Sequence, residues 1–134
     1  MPRTSQLRVV DIMSTAVITM KVTDVITSAH AEMEVGMIRH LPVVDDHGRL
    51  VGVLSDRDIL NARNAKAKIS DVMTRDVISI RPDVPAAKAA SIMLDEKISS
   101  VMVVDEHGTL VGLVTMTDYL DLARRALLGL PLER

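Results

Sequence analysis

Two short stretches carry the residue types that can do chemistry: Ser55-Asp56-Arg57-Asp58 and Thr115-Met116-Thr117-Asp118. Each places a hydroxyl three residues before an aspartate, directly after an apolar run. A helix starting there presents unpaired backbone N–H groups and a partial positive charge, which suit phosphate oxygens. Thr115 and Thr117 add hydroxyl donors, and an ionised Asp118 can accept both hydroxyl hydrogens of a ribose. The first copy keeps the aspartate as Asp58 but replaces the second hydroxyl with Arg57, which can pair with phosphate directly. The same spacing is also a capping box, in which hydroxyl and acid satisfy the helix end with no ligand. The two roles are compatible, because the hydroxyl can cap while the aspartate points outward.

Both stretches close a longer repeat. Residues 43–58 read VVDDHGRLVGVLSDRD and residues 103–118 read VVDEHGTLVGLVTMTD, an offset of 60 positions (103 − 43) with 9 of 16 residues identical. Two apolar runs flank an acidic turn with Gly48 or Gly108, the pattern of a β-hairpin. Ahead of the hairpin, residues 9–13 and 69–73 read as short helical turns, and 16–20 and 76–80 as short strands. A helix follows in each half. Thr23 or Asp24 caps the first, with Val25, Ala29 and Met33 on one face and Gly36 ending it in a left-handed conformation. Asp83 and Pro85 start the second, with Ala89, Ile92 and Met93 inward. Residues 41–44 and 101–104 are strands, 50–54 and 110–114 return as second hairpin arms, and final helices run over 56–63 and 116–128. The order in each half is strand, helix, strand, strand, helix, and the fully apolar strands require a sheet covered by helices on at least one face.

The chain of 134 residues fits one compact domain of two half-size repeats, each too small to be robust alone. With 16 basic and 18 acidic residues, the formal charge of −2 argues against a nucleic-acid partner. Tyr119 is the sole aromatic residue, so base stacking on rings is excluded almost everywhere. The core must be Val, Ile, Leu, Ala and the nine methionines. Absence of cysteine excludes disulfides, thiolate metal sites and a cysteine nucleophile. No segment has the apolar length of a membrane span, and no signal region opens the sequence, so a cytoplasmic protein with no membrane partner is expected. Residues 120–132, LDLARRALLGLPL, are apolar enough to close the core or to meet a neighbouring unit through Leu122, Ala126 and Leu130.

The Asp-Ile/Val-Met-Ser/Thr runs at 11–14 and 71–74, Leu41-Pro42-Val43-Val44-Asp45, Gly52-Val53-Leu54-Ser55 and the closing Asp58, repeated at a constant offset, resemble the cystathionine-beta-synthase (CBS) domain family. The resemblance covers about residues 8–127 as a tandem pair, with repeats at 8–66 and 67–127. It implies an α+β or α/β fold of two CBS units, each a small mixed sheet with helices packed on it, associated as a pseudo-two-fold pair. Such pairs commonly dimerise into a flat four-unit disc. It further implies a regulatory or sensor module and not an enzyme, with no catalytic residue and no catalytic cofactor. An adenine nucleotide (AMP, ADP or ATP) or related adenosyl ligand in the clefts between units would act as regulator, altering the geometry of a homodimer or an unknown protein partner. The alternative, motivated by the apolar segment at 120–132, is a ligand-free homodimeric interaction scaffold.

Carried onto this chain, the family's pattern places Asp58 and Asp118 on ribose, with Ser55, Arg57, Thr115 and Thr117 near ribose and phosphate. The base would lie between the leading segment and the middle strand: Thr15, Ala16 and Val17 with His40, Leu41 and Pro42, and Arg75, Asp76 and Val77 with Ser100, Val101 and Met102. Without aromatic walls, aliphatic contact and backbone hydrogen bonds must recognise the base. Met102 stands where the family often has proline, and Asp56 adds negative charge near the first phosphate position. The second copy is therefore the better neutral-hydroxyl cradle. Arg39, His40, Arg57, Arg75 and Lys97 are candidate phosphate partners. No metal site is expected, since a hairpin turn explains Asp45, Asp46 and His47.

Overall fold

The computed structural model describes residues 6–36 and 38–132. In chain order the elements are α1 (Val9–Ile12), β1 (Met20–Lys21), α2 (Ile26–Gly36), β2 (His40–Val44), β3 (Leu50–Ser55), α3 (Asp56–Leu60), α4 (Ile69–Val72), β4 (Ser79–Ile80), α5 (Ala86–Glu96), β5 (Ser100–Val104), β6 (Leu110–Thr115) and α6 (Met116–Leu127). They form two three-stranded sheets, β1-β2-β3 and β4-β5-β6. In the first, β1 runs parallel to β2, and β2 runs antiparallel to β3, which makes the sheet mixed. The strands before α2 and α5 are shorter than the sequence suggests, two residues each. Pro42 sits in the central strand because β1 pairs only with Val43 and Val44, so no neighbour there needs the missing N–H.

The chain gathers into two compact units. One, the α2 unit, holds Ile18–Val77 and His107–Leu110; the other, the α5 unit, holds the described residues up to Val17, Ile78–Glu106 and the chain from Val111 onward. Each unit is completed by a leading segment from the other repeat. Leu7, Val9 and Ile12 are buried with Ala86, Ala89, Met93, Val101 and Val114, while Ile69 and Met73 are buried with Ile26, Ala29, Met33, Leu41 and Leu54. Backbone bonds fix both: Val9 N–H donates to Val84 carbonyl at 2.9 Å, and Ile69 N–H donates to Asp24 carbonyl at 2.8 Å. The spacing of Ile26, Ala29 and Met33, three residues and then four, follows from the helical period.

Glycine explains how closely these segments lie. A Cβ on Gly112 would stand 2.6 Å from Met13 Sδ and 3.0 Å from Ser14 carbonyl oxygen, and on Gly52 it would stand 2.6 Å from Met73 Sδ and 3.0 Å from Thr74 carbonyl oxygen. Ser14 bridges Leu113 and Thr74 bridges Val53, so each leading segment crosses its sheet at a glycine. Gly36 differs from its expected role. It is the last residue of α2 and not left-handed, the positive-φ glycines among the described residues being Gly48, Gly108 and Gly129. In the second repeat Lys97 takes the left-handed cap after α5, at φ 56°. Its counterpart, Met37, lies outside the described residues.

The C-terminal helix splits between the two roles its composition allows. Tyr119, Leu122 and Leu132 pack on the α5-unit core, whereas Ala126 and Leu130 are exposed. Gly129 in the left-handed region ends α6, with Leu130 N–H bonded to Arg125 carbonyl at 2.8 Å.

Candidate functional site

Both strand-to-helix corners are closed as capping boxes. Ser55 N–H donates to Asp58 Oδ2 at 2.9 Å, and Asp58 N–H donates to Ser55 Oγ at 3.0 Å. At the second corner Thr115 N–H donates to Asp118 Oδ2 at 2.8 Å, while Asp118 N–H reaches Thr115 Oγ1 only at 3.4 Å. The cap uses Oδ2 of Asp58 and leaves Oδ1 outside it. Capping is thus present in the folded chain, and it positions both carboxylates at the third helical residue.

The remaining helix-end donors differ between copies. Asp56 N–H is taken by Arg39 carbonyl at 2.9 Å and Arg57 N–H by Asp56 Oδ1 at 2.9 Å, so the first three N–H groups of α3 all have protein partners. In α6 Met116 N–H is taken by Ser99 carbonyl at 3.0 Å, but Thr117 N–H meets no protein acceptor among the described residues. The expected phosphate cradle of backbone donors is therefore filled from within at the first corner. Asp56 does this by folding its carboxylate onto the helix start, where the helix charge favours an anion.

The predicted residues fall into two groups. The α2 unit contains His40, opposite Ser55 in the sheet register, with Leu41, Pro42, Arg57, Asp58, Arg75, Asp76 and Val77. The α5 unit contains Thr15, Ala16, Val17, Ser100, Val101, Met102, Thr115, Thr117 and Asp118. Sequence reasoning grouped Thr15–Val17 with His40–Pro42 and Arg75–Val77 with Ser100–Met102; the compact units group them the other way, because the leading segments are exchanged. Leu41, Pro42, Val101 and Met102 are buried, so only their backbone groups are available to a ligand. Arg39, His40 and Arg57 are exposed, and Arg75 is tethered by its guanidinium to Ser70 carbonyl at 3.1 Å.

Tyr119 was not singled out by its spacing. Its hydroxyl donates to Ala86 carbonyl at 2.6 Å and ties α6 to the start of α5. Burial, and next the neighbouring Asp118 carboxylate, push its pKa up to about 12. The only sequence signal was that it is the sole aromatic residue. On the outer face of α6 a groove of about 420 Å³ is lined by Thr117, Leu120, Asp121 and Arg124. Asp121 binds both Arg124 and Arg125, and the Arg125 bond, then the Arg124 bond, holds its carboxyl below the usual carboxylate range.

The hairpin turn accounts for the acidic residues that follow β2. Asp45 Oδ1 accepts from His47 N–H at 2.8 Å and Arg49 N–H at 3.0 Å, and the Arg49 bond is the main cause that lowers its pKa. Among the described residues no group of three or more His, Asp or Glu is arranged to hold a metal ion, and no helix is long and apolar enough to cross a membrane.

The family model described as CBS domain matches this chain twice, over residues 9–65 and 69–125. A curated relative, inosine-5'-monophosphate dehydrogenase of Methanocaldococcus jannaschii, is 35% identical over 104 residues, covering 78% of this chain and 21% of the relative. The chain spans roughly a fifth of the length of the curated relatives it matches first, at 21%, 16% and 23%. Among solved structures, the CBS domain pair of protein MJ0100 in complex with 5'-methylthioadenosine and S-adenosyl-L-methionine has a TM-score of 0.80 and 37% identity, covering 90% of this chain and 98% of that one. The cytosolic domain of the Mg2+ channel MgtE in complex with ATP has a TM-score of 0.75 and 30% identity, covering 83% of this chain and 46% of that one.

Proposed function

This chain belongs to the CBS domain family, and from that premise we propose that it is a regulatory module that binds adenine nucleotides or related adenosyl ligands. The observation that carries the proposal is the twice-built corner, where a capping box presents a carboxylate, Asp58 or Asp118, at a helix start beside hydroxyl or guanidinium groups. A carboxylate oxygen outside the cap suits the paired hydroxyls of a ribose. The relatives described above bind 5'-methylthioadenosine, S-adenosylmethionine and ATP, which supports an adenosyl ligand. Occupancy acts by differential affinity for two arrangements of a homodimer or of a protein partner. The module is not an enzyme; the matched relatives that are enzymes share only about a fifth of their length with it.

The test is calorimetric titration with AMP, ADP, ATP, NAD and S-adenosylmethionine. Asp118→Asn and Asp58→Asn are the informative variants, because an amide still caps the helix whereas alanine removes the cap. Binding by the parent chain and its loss in the asparagine variants is the expected result. No heat with any ligand at millimolar concentration would sink the proposal.

The second reading, a ligand-free homodimeric interaction scaffold, is favoured by the outer face of α6. Leu120 is 71% exposed and Leu127 is 86% exposed, one turn pair apart on the same stripe as Met116. Truncation is a poor probe of it, since Tyr119 and Leu122 pack against the core of the α5 unit. Leu120→Glu with Leu127→Glu should convert a dimer to a monomer in sedimentation, and an unchanged mass would remove this reading.

A further inference from the structure

Asp56 of α3 and Met116 of α6 occupy the same first helical position, 60 residues apart (116 − 56). Each has its own N–H bound to the carbonyl of the residue preceding β2 or β5, Arg39 for Asp56 at 2.9 Å and Ser99 for Met116 at 3.0 Å. The next N–H is where the two helix starts part. Arg57 N–H is held by Asp56 Oδ1 at 2.9 Å, whereas Thr117 N–H meets no protein acceptor among the described residues. A thioether sulfur is too weak an acceptor to take that place.

Met116 is also the methionine that solvent reaches most freely among the described residues. Met20, Met33, Met73, Met93 and Met102 are at most 9% exposed, and Met13 is half-buried against Gly112. Met116 is 56% exposed. Thr117 beside it lines the groove of about 420 Å³ on the outer face of α6, so a small oxidant has a path to both. With no cysteine in the chain, a thioether is the softest nucleophile it offers.

A hydroperoxide converts such a sulfur in one step. The sulfur lone pair attacks a peroxide oxygen, and the S–O bond forms as the O–O bond breaks. The sulfur gives up the electron pair that the peroxide gains, and hydrogen peroxide leaves as water. The product is a neutral sulfoxide with a strongly polar oxygen. That oxygen lies one bond further from the backbone than Asp56 Oδ1 does, the reach of a glutamate carboxylate. The unbranched side chain is flexible enough to fold it back over the helix start, where the helix charge favours the negative end of the S–O dipole.

We propose that Met116 is an oxidation site for hydroperoxides. Its sulfoxide oxygen takes the Thr117 N–H and closes the start of α6 as Asp56 closes that of α3. Oxidation thus gives one corner the arrangement of the other, and reduction of the sulfoxide restores the open form. The α5 unit acquires a redox input at a position where the α2 unit carries a carboxylate that peroxide leaves untouched. A closed start has no open donor among its first three backbone N–H groups, so a ligand that uses one is displaced. This consequence, unlike the modification itself, rests on the adenosyl-binding reading proposed above.

The test treats the full chain with hydrogen peroxide, maps sulfoxides by peptide mass spectrometry and reads amide hydrogen exchange at Thr117 by NMR. Met116 should be oxidised ahead of the five buried methionines, and exchange at Thr117 should then slow about tenfold. Met116→Gln, a neutral acceptor of the same reach, should slow it without oxidant. Met116→Leu should leave it fast before and after peroxide. Asp56→Met supplies the converse: exchange at Arg57 should speed up until peroxide is added. Oxidation of Met116 no faster than that of the buried methionines would overturn the proposal, as would exchange at Thr117 unmoved both by peroxide and by Met116→Gln. Calorimetry with AMP separates the consequence from the modification. Weaker binding after oxidation in the parent chain, and not in Met116→Leu, supports closure of a ligand site; no binding before or after oxidation would sink the adenosyl reading alone.

Discussion

The helices α3 and α6 start in the same capping box and then diverge, one stopping after 5 residues and the other running for 12. The short one releases the chain toward α4. The long one packs Tyr119 and Leu122 against the core of the α5 unit and closes at a left-handed Gly129. Their difference shows that the corner is set by the cap and by the strand beside it, not by the helix that follows. Residues around the corner are therefore free to vary in chemistry, and they do, from guanidinium to hydroxyl.

The largest way to break the equivalence of the two units is in their cores. Leu54 is 0% exposed, and Leu54→Ala should cost about 2–5 kcal/mol in denaturant unfolding. Val114, its counterpart, has less side chain to lose, so Val114→Ala should cost less; equal costs would show that the cores are not packed alike. Next come Gly52→Ala and Gly112→Ala, at about 1–3 kcal/mol each. The two should agree, because the opposing carbonyl stands at 3.0 Å in both, and a cost in one alone would mean that only one leading segment is held tightly.

Smaller effects sharpen the contrast between α3 and α6. Removing the hydroxyl in Tyr119→Phe leaves Ala86 carbonyl without that donor and should cost about 1 kcal/mol. The raised pKa of Tyr119 stabilises the folded chain below the ordinary tyrosine value of 10.0, and this stabilisation is lost as pH rises from there through about 12. Alkaline unfolding followed by circular dichroism should lose that sensitivity in the phenylalanine variant; an identical profile would show that Tyr119 is not its source. Ser55→Ala should cost about 1 kcal/mol and Thr115→Ala less, since the Thr115 cap bond is the longer at 3.4 Å. The reverse order by thermal unfolding would remove the claim that the first cap is the tighter one.

Much of this was readable from residues. The hairpins followed from apolar runs around an Asp-x-His-Gly turn, and both corners from a hydroxyl three residues ahead of an aspartate. Asp56 was legible as a negative charge near the phosphate position, but its bond to Arg57 N–H depends on a rotamer that sequence does not specify. The glycines of the Leu-Val-Gly runs were read as hairpin packing; the methionine and carbonyl lying across them belong to a segment some 20 residues or, for Gly112, some 98 residues away (112 − 14). Periodicity describes what each element buries and says nothing of which copy buries it. For the same reason the exchange of leading segments, and with it the grouping of Thr15 and Arg75, was invisible.

That exchange also orders the assembly of the chain in time. Val9 bonds to Val84, a separation of 75 residues (84 − 9), whereas Ile69 bonds to Asp24 across 45 (69 − 24). Long loops must close before such contacts stabilise anything, so the α5 unit is expected to form more slowly than the α2 unit in stopped-flow refolding. The segment carrying Leu7, Val9 and Ile12 is synthesised before the helix and strands it is buried against, which lie beyond residue 78.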